Sequence, residues 1–193
     1  MARNTALKES KDRKSVKNIL ITGTPGVGKT TLIRDLIAEL NISAGGFYTA
    51  EVRDGNGKRW GFKIISLDGQ EEILASVEII SQRKVGKYGV DVGAVDRIGV
   101  KSVRDALNSK ELVVIDEIGR MELISKQFRN IAMKALNSPK PVLGTVAIKE
   151  TNFTERLKKR QDTRIIKLKR ENLSEVVKHV EKLLKQQGLA INQ

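Results

Sequence analysis

Eight residues, Gly23-Thr24-Pro25-Gly26-Val27-Gly28-Lys29-Thr30, have the types and the spacing of a phosphate-binding loop. They fit GxxxxGK[ST], and they stand after an apolar run and before a helical pattern, where such a loop has to stand. Gly23, Gly26 and Gly28 let the backbone turn with its N–H groups pointing inward, and Pro25 stiffens the turn. Lys29 is placed to reach the β- and γ-phosphates as a point charge, and the Thr30 hydroxyl to hold Mg²⁺. The positive end of the following helix stands behind both.

A second group of chemistry-bearing residues lies about ninety positions on. The run Leu112-Val113-Val114-Ile115 ends in Asp116-Glu117. A buried parallel strand ending in Asp delivers a carboxylate to the metal site beside Thr30, which makes Thr30 and Asp116 the metal pair. Glu117, one residue further, stands where a general base would deprotonate an attacking water. Both acids also suit the N-terminus of a following helix, which is the plainer account of them. Arg120 is either an internal arginine finger or one half of a surface salt bridge. Thr145, inside the apolar run Val142-Leu143-Gly144-Thr145-Val146-Ala147, is a candidate γ-phosphate sensor. Lys169, Arg170 and Asn172 fall beyond the last strand, where open α/β sheets place a base or ribose.

The elements that position these residues follow from pattern. The strand starting at Asn18 enters the loop, and Leu32, Ile33, Leu36, Ile37 and Leu40 form one apolar face of the helix after it. Residues 45–53 and 58–67 flank an Asp54-Gly55-Asn56-Gly57 turn, and 72–76 follow a second turn, so an antiparallel meander is inserted where a simple βαβ chain would have a helix. Phe47, Tyr48, Trp60 and Phe62 in that meander read as core or cross-strand pairs rather than a base-stacking platform. The segment 83–92 is either a loop that covers a nucleotide or an ordinary connection. Helices are expected over 98–109, 124–137 and 174–187, a short basic helix or lid over 150–160, and a last strand over 164–168.

Composition bounds the chemistry. The 193 residues suffice for one α/β domain over 18–187, between a basic tail at 1–17 and a short tail at 188–193. No run is apolar and long enough to span a bilayer and no signal-peptide pattern opens the chain, so a cytoplasmic protein with no membrane partner is expected. With no cysteine and one histidine, His179, there is no thiolate, disulfide or His-cluster metal site to consider. His179 itself falls on a polar helix surface. The net charge of +13 is concentrated at the ends, +4 over residues 1–17 and +6 over 149–193. It suits polyanionic nucleotides, whereas no RNA-binding signature or helix-turn-helix supports a nucleic-acid partner. Few aromatics and abundant Lys, Glu and Ile fit a thermophilic source.

Taken together, GTPGVGKTT, GGFYTAEVRDGNGKRWGF, VGKYGV and LVVIDEIGRMEL resemble the small thermostable P-loop nucleoside-triphosphatases of archaea and bacteria, a family with a cancer-related human relative. The resemblance runs from about Lys17 to Leu184, and the segments containing GFYT and KYGV are its distinctive part. It implies an α/β fold, a P-loop NTPase three-layer sandwich with a mostly parallel central sheet and the antiparallel meander inserted after the first helix. It implies a nucleoside-triphosphate phosphatase that uses Mg²⁺ to hydrolyse ATP, GTP, CTP and UTP with little base selectivity; its oligomeric state is left open, with a monomer favoured. It places the nucleotide on Gly23, Thr24, Pro25, Gly26, Val27, Gly28, Lys29, Thr30 and Thr31, and on Leu112, Val113, Val114, Ile115, Asp116, Glu117, Ile118 and Gly119. Lys29, Glu117 and Arg120 then form the catalytic set. The Asn-Arg pair that family members often carry after the last strand is Asn172-Leu173 here. A nucleotide or small-molecule kinase uses the same cradle and is the main rival. It needs an acceptor pocket and an arginine-rich lid, for which residues 155–164 are the candidate. A GTP-dependent switch lacks its NKxD motif, and a nucleic-acid-associated ATPase lacks any motif of its own.

Overall fold

The structure, a computed structural model, describes residues 16–189. Most of the expected basic tail and the last four residues lie outside that range. From its first strand, β1 (Asn18–Thr22), the chain passes through the glycine loop into α1 (Lys29–Glu39), then through the meander β2 (Ala44–Arg53), β3 (Arg59–Ser66) and β4 (Glu71–Ser76). A small hairpin follows, β5 (Lys84–Val85) and β6 (Tyr88–Val90). One continuous helical run then comprises α2 (Val92–Ala94), a π-helical segment (Val95–Val100) and α3 (Lys101–Ser109). The remainder is β7 (Leu112–Ile118), a 3-10 turn (Glu122–Ile124), α4 (Lys126–Asn137), β8 (Val142–Val146), α5 (Asn152–Lys158), β9 (Thr163–Lys167) and α6 (Leu173–Gln186).

All nine strands belong to one sheet in the order β5-β6-β4-β3-β2-β7-β8-β1-β9. The five strands β2, β7, β8, β1 and β9 are mutually parallel, and the pairings from β2 outward to β5 are antiparallel. The expectation of a mostly parallel sheet is therefore corrected: the sheet is mixed, because the meander adds its strands to the edge of the parallel part through hairpin turns, which can join only antiparallel neighbours. The segment 83–92 is the far edge hairpin of that extension. It stands six strand positions from β1, on the order of 29 Å along the sheet, so it is a connection and not a cover for the glycine loop.

Helices cover both faces. On one, the run from α2 to α3, together with α4 and α5, packs over both halves of the sheet. Its helical residues Val95, Ile98, Val103, Phe128 and Leu157 share a core with Leu20, Phe47, Ile64, Val113 and Ile115. On the other, Leu32, Ile33 and Leu36 of α1 and Val176, Val180 and Leu184 of α6 meet Ile19, Ile21, Val114 and Leu143. That second layer covers the parallel strands. Phe47 and Phe62 point into the first layer, in edge-to-face pairs with Phe128 at 5.8 Å and Tyr88 at 5.2 Å between centroids. Tyr48 instead lies under the Arg34 guanidinium of α1, 5.1 Å from its ring centroid. The aromatics are thus packing groups and form no shared platform.

The edge away from the glycine loop is closed by charge. Lys17, counted with the tail in the sequence, donates to the carbonyls of Leu136 (2.6 Å) and Ser138 and lies 3.7 Å from Asp162. Arg160 forms a two-point bond to Asp162 and a third to the Leu136 carbonyl, 2.8 Å. At the other end of the chain Leu189 is buried against the α6 core rather than trailing away. Because Phe128 is fully buried and ties α4 to β2 through Phe47, Phe128→Ala should cost about 3–5 kcal/mol. Chemical denaturation should show this as a lower midpoint at unchanged slope.

Candidate active site

β1 ends at Thr22, and the backbone turns back over the sheet through two glycines in the left-handed region, Gly26 at φ 75° and Gly28 at φ 100°. No L side chain adopts those angles readily. Gly23 is glycine for a different reason: a Cβ there would stand 2.7 Å from the Leu168 carbonyl oxygen at the end of β9. The loop is therefore seated against β9, whose Leu168 N–H donates to the Thr22 carbonyl at 2.7 Å. Gly28 is the residue before α1, so the loop amides and the positive end of an eleven-residue helix point to the same side.

Strand order fixes what faces this loop. β8 lies between β1 and β7, and the parallel register brings the last residues of β7 to the loop end of the sheet. Lys29 Nζ donates to the Gly23 carbonyl at 3.0 Å and lies 3.7 Å from Glu117 Oε2. Asp116, one residue earlier, is 1% exposed and accepts a hydrogen bond from the Thr145 hydroxyl of β8 at Oδ1. Its Oδ2 is buried with no hydrogen-bond partner among the described residues. The Thr30 hydroxyl faces the same carboxyl closely enough to favour its charge, outside hydrogen-bond geometry. The peptide between Asp116 and Glu117 is cis.

The carboxyls are not ordinary acids. Burial pushes Asp116 above the usual aspartate range, opposed by the Thr145 and Thr30 hydroxyls and by Lys29. Burial also raises Glu117, with Lys29 pulling down and Asp116 pushing up. A third acid, Glu122 on the 3-10 turn, is 4% exposed and raised to about 8, by burial first and by the Glu117 charge second. Sequence reasoning missed Glu122. Its only signal was an acid in the apolar stretch Met121-Glu122-Leu123-Ile124, where a buried carboxyl is rare.

An orphaned, buried carboxylate oxygen beside a threonine hydroxyl, with few other protein donors, is the donor set that a water-rich Mg²⁺ takes. Thr30 and Asp116 fit that ion. No cluster of three or more His, Cys, Asp or Glu suited to a metal exists among the described residues.

Other expected residues fall out differently. Leu112, Val113, Val114, Ile115 and Ile118 are fully buried with their side chains in the two cores, so only the end of β7 can meet a nucleotide by its side chains. Thr145 is buried and committed to Asp116, which makes it an aligner of that carboxylate. Arg120 is exposed and makes no ion pair among the described residues, so the salt-bridge expectation fails. Lys169 and Arg170 line a cavity of about 400 Å³ with Thr24, Pro25, Gly26 and Val27. Asn172 spends its side chain on the backbone: it accepts from Lys169 N–H at 2.8 Å and donates to the Lys167 carbonyl at 3.0 Å. Arg160, one of three arginines in the lid candidate 155–164, is fixed beside Asp162 just before β9 begins, at the end of the sheet away from the loop, while Arg156 and Arg164 are exposed. His179 is exposed on α6, as its helical position implies.

The NTPase family profile matches residues 18–181. The chain belongs to the NTPase family. Its NTPase relatives include the nucleoside-triphosphatase THEP1 of Thermotoga sp. (strain RQ2), 47% identical over 86% of this chain and 95% of the relative. The protein of the same name from Methanocaldococcus jannaschii is 45% identical over 66% of this chain and 76% of the relative. Among solved structures, THEP1 from Aquifex aeolicus superposes with a TM-score of 0.78 at 34% identity, covering 87% of this chain and 99% of that one. A human cancer-related nucleoside triphosphatase gives 0.72 at 29% identity, over 88% and 98%. The enzyme class expected from the motifs, an NTP hydrolase, stands. Among the described residues, no helix is long and apolar enough to cross a membrane.

The acid cluster makes stability depend on pH. Glu122 keeps its proton in the folded chain up to about pH 8 but loses it near 4.5 when unfolded. The unfolded state therefore binds fewer protons between those values, and stability falls as pH rises through that window. In metal-free protein, Glu122→Gln should remove this term. The stability difference between variant and native protein should widen by up to about 1.4 kcal/mol per pH unit from pH 4.5 to 8, as read by denaturant melts across that range.

Proposed function

We propose that the chain is a Mg²⁺-dependent P-loop nucleoside-triphosphatase that transfers the γ-phosphoryl group of ATP, GTP, CTP and UTP to water with little base selectivity. The observation that carries this reading is the pairing of Lys29 with Glu117 at 3.7 Å, beside the orphaned oxygen of Asp116. It puts a phosphate-binding ammonium, a desolvated base and a metal carboxylate at one end of one sheet. The backbone N–H groups of Gly26 and Gly28 and the start of α1 receive the phosphates, and Lys29 moves its charge onto the β- and γ-oxygens. As Lys29 engages phosphate, Glu117 loses part of its counter-charge and its basicity rises, which suits it to take the proton of a water attacking in line. Thr145 holds the Asp116 carboxylate in orientation. Thr30 and Asp116 would hold Mg²⁺, which would supply charge neutralisation to the phosphates. Arg120, exposed just past Gly119, supplies a further positive charge at the γ-phosphate.

The cavity beside the loop supports low base selectivity. Its walls are Thr24 to Val27 and the segment Lys167 to Glu171, with no aromatic ring among these residues to stack on. The Asn172 side chain beside it is tied to the backbone at both ends of its amide. Of the three arginines in the segment 155–164 that a kinase lid would use, Arg160 serves the opposite end of the sheet, while Arg156 and Arg164 are exposed.

Phosphate release from the four triphosphates, with Mg²⁺ and with EDTA, tests this. Native protein should hydrolyse all four at comparable rates and stop in EDTA. Glu117→Gln should bind nucleotide normally and lose about 10²–10⁴ in kcat. Tight binding with negligible hydrolysis by native protein would exclude water as the acceptor.

A further inference from the structure

Glu122 is the buried acid that the scheme above does not use. It lies on the 3-10 turn three residues after Gly119, and that turn is tightly built: Leu123 N–H donates to the Gly119 carbonyl and Ser125 N–H to the Glu122 carbonyl, each at 3.0 Å. The N–H groups of Glu122 itself and of Gly119 lie close enough to the Glu122 carboxyl to favour its charge. The side chain therefore folds back towards the backbone just after Glu117. The same carboxyl also shares space with Glu117. A Cβ built on Gly119 would stand 2.8 Å from Glu117 Oε1 and 2.8 Å from Glu122 Oε2, so both oxygens pack over the bare Cα of Gly119.

We propose that Glu122 is a positioning residue for hydrolysis: it clamps the Gly119 backbone and, across Gly119, fixes the rotamer of the Glu117 carboxylate that activates water. This rests on the reading of Glu117 as the base. Charge supports it. From β7, Asp116 and Glu117 face Glu122. Lys29 of α1 reaches Glu117 instead, and Arg129 of α4 is spent on the carbonyls of Leu123 and Ile124. Asp96 of the π-helical segment is bonded to Ser125 and Gln127. Among the described residues no cation is paired to it, and burial holds the Glu122 carboxyl well above the usual glutamate range, favouring its neutral form. It can then support Glu117 by shape and hydrogen bonding without competing for Lys29.

The test is steady-state kcat and KM for ATP, with nucleotide affinity measured in parallel, on Glu122→Ala, Glu122→Gln and Gly119→Ala. The two alanine variants are repeated on a Glu117→Gln background. Glu122→Ala and Gly119→Ala should each lower kcat by about 10- to 100-fold with KM and affinity held within about twofold. Glu122→Gln, neutral and nearly isosteric, should restore kcat to within about threefold of native. On the Glu117→Gln background the alanine substitutions should lower kcat no further, because a group that acts through Glu117 has nothing left to act on. An undiminished further loss there, a Gln variant as poor as Ala, or a change in KM alone overturns the proposal. If Glu117→Gln is inactive while Glu122→Ala is fully active, this proposal falls alone. If Glu117→Gln turns over at the native rate, the base reading fails and takes the proposal with it. Should Glu122→Ala not fold, Gly119→Ala carries the same comparison.

Discussion

One ammonium, Lys29, faces two carboxyls, Glu117 and Asp116, and a third, Glu122, is buried beyond them. Lys29 also donates to the Gly23 carbonyl, and among the described residues no salt bridge reaches Asp116 or Glu122. Buried acids so close together cannot all be ionised cheaply. The arrangement is balanced by burial that favours protons on the carboxyls, by hydroxyls on Asp116 and by backbone N–H groups on Glu122. Such a cluster spends stability to hold groups whose proton affinities respond to the arrival of a triphosphate, and functional sites are where that cost is met.

The sheet is what makes the cluster possible. β1 presents the loop, β7 presents the acids, and β8 between them contributes Thr145, so three strands deliver one residue set at one end. The opposite end is stabilised by Lys17, Arg160 and Asp162, where charges are paired and partly exposed. Chemistry and closure are thus kept at separate ends of the same strands, the arrangement that open α/β sheets favour for ligands.

Much of this was legible in the residues. The glycine loop, the acid pair and the meander each carry a local grammar: fixed spacing, a strand ending in Asp, and turn residues between β-rich runs. What escaped was set by tertiary packing. A propensity pattern cannot tell that β2 joins β7 in parallel while its other edge is antiparallel, so the proportion of parallel strands was overestimated. The π-helical segment before α3 left no mark in periodicity. Glu122 reads as a surface acid until the turn folds it inward. Arg160 looked like a lid because basic residues cluster around it in sequence, whereas its hydrogen bonds tie it to the far end. Gly23 was assigned the same cause as Gly26 and Gly28, but its constraint comes from a neighbouring strand and not from its own dihedral angles.

A nine-stranded sheet has two open borders, and any exposed row of backbone N–H and C=O groups can recruit another chain. Here the two borders are blunted by different means. β5 is only two residues long, too short to template a partner strand. β9 is five residues long but exposes Arg164 and Lys167, and two such strands meeting edge to edge would bring like charges together. A sheet this wide is thereby kept from growing sideways into fibres. A charge-reversing or apolar substitution at Arg164 would threaten solubility without touching the catalytic end.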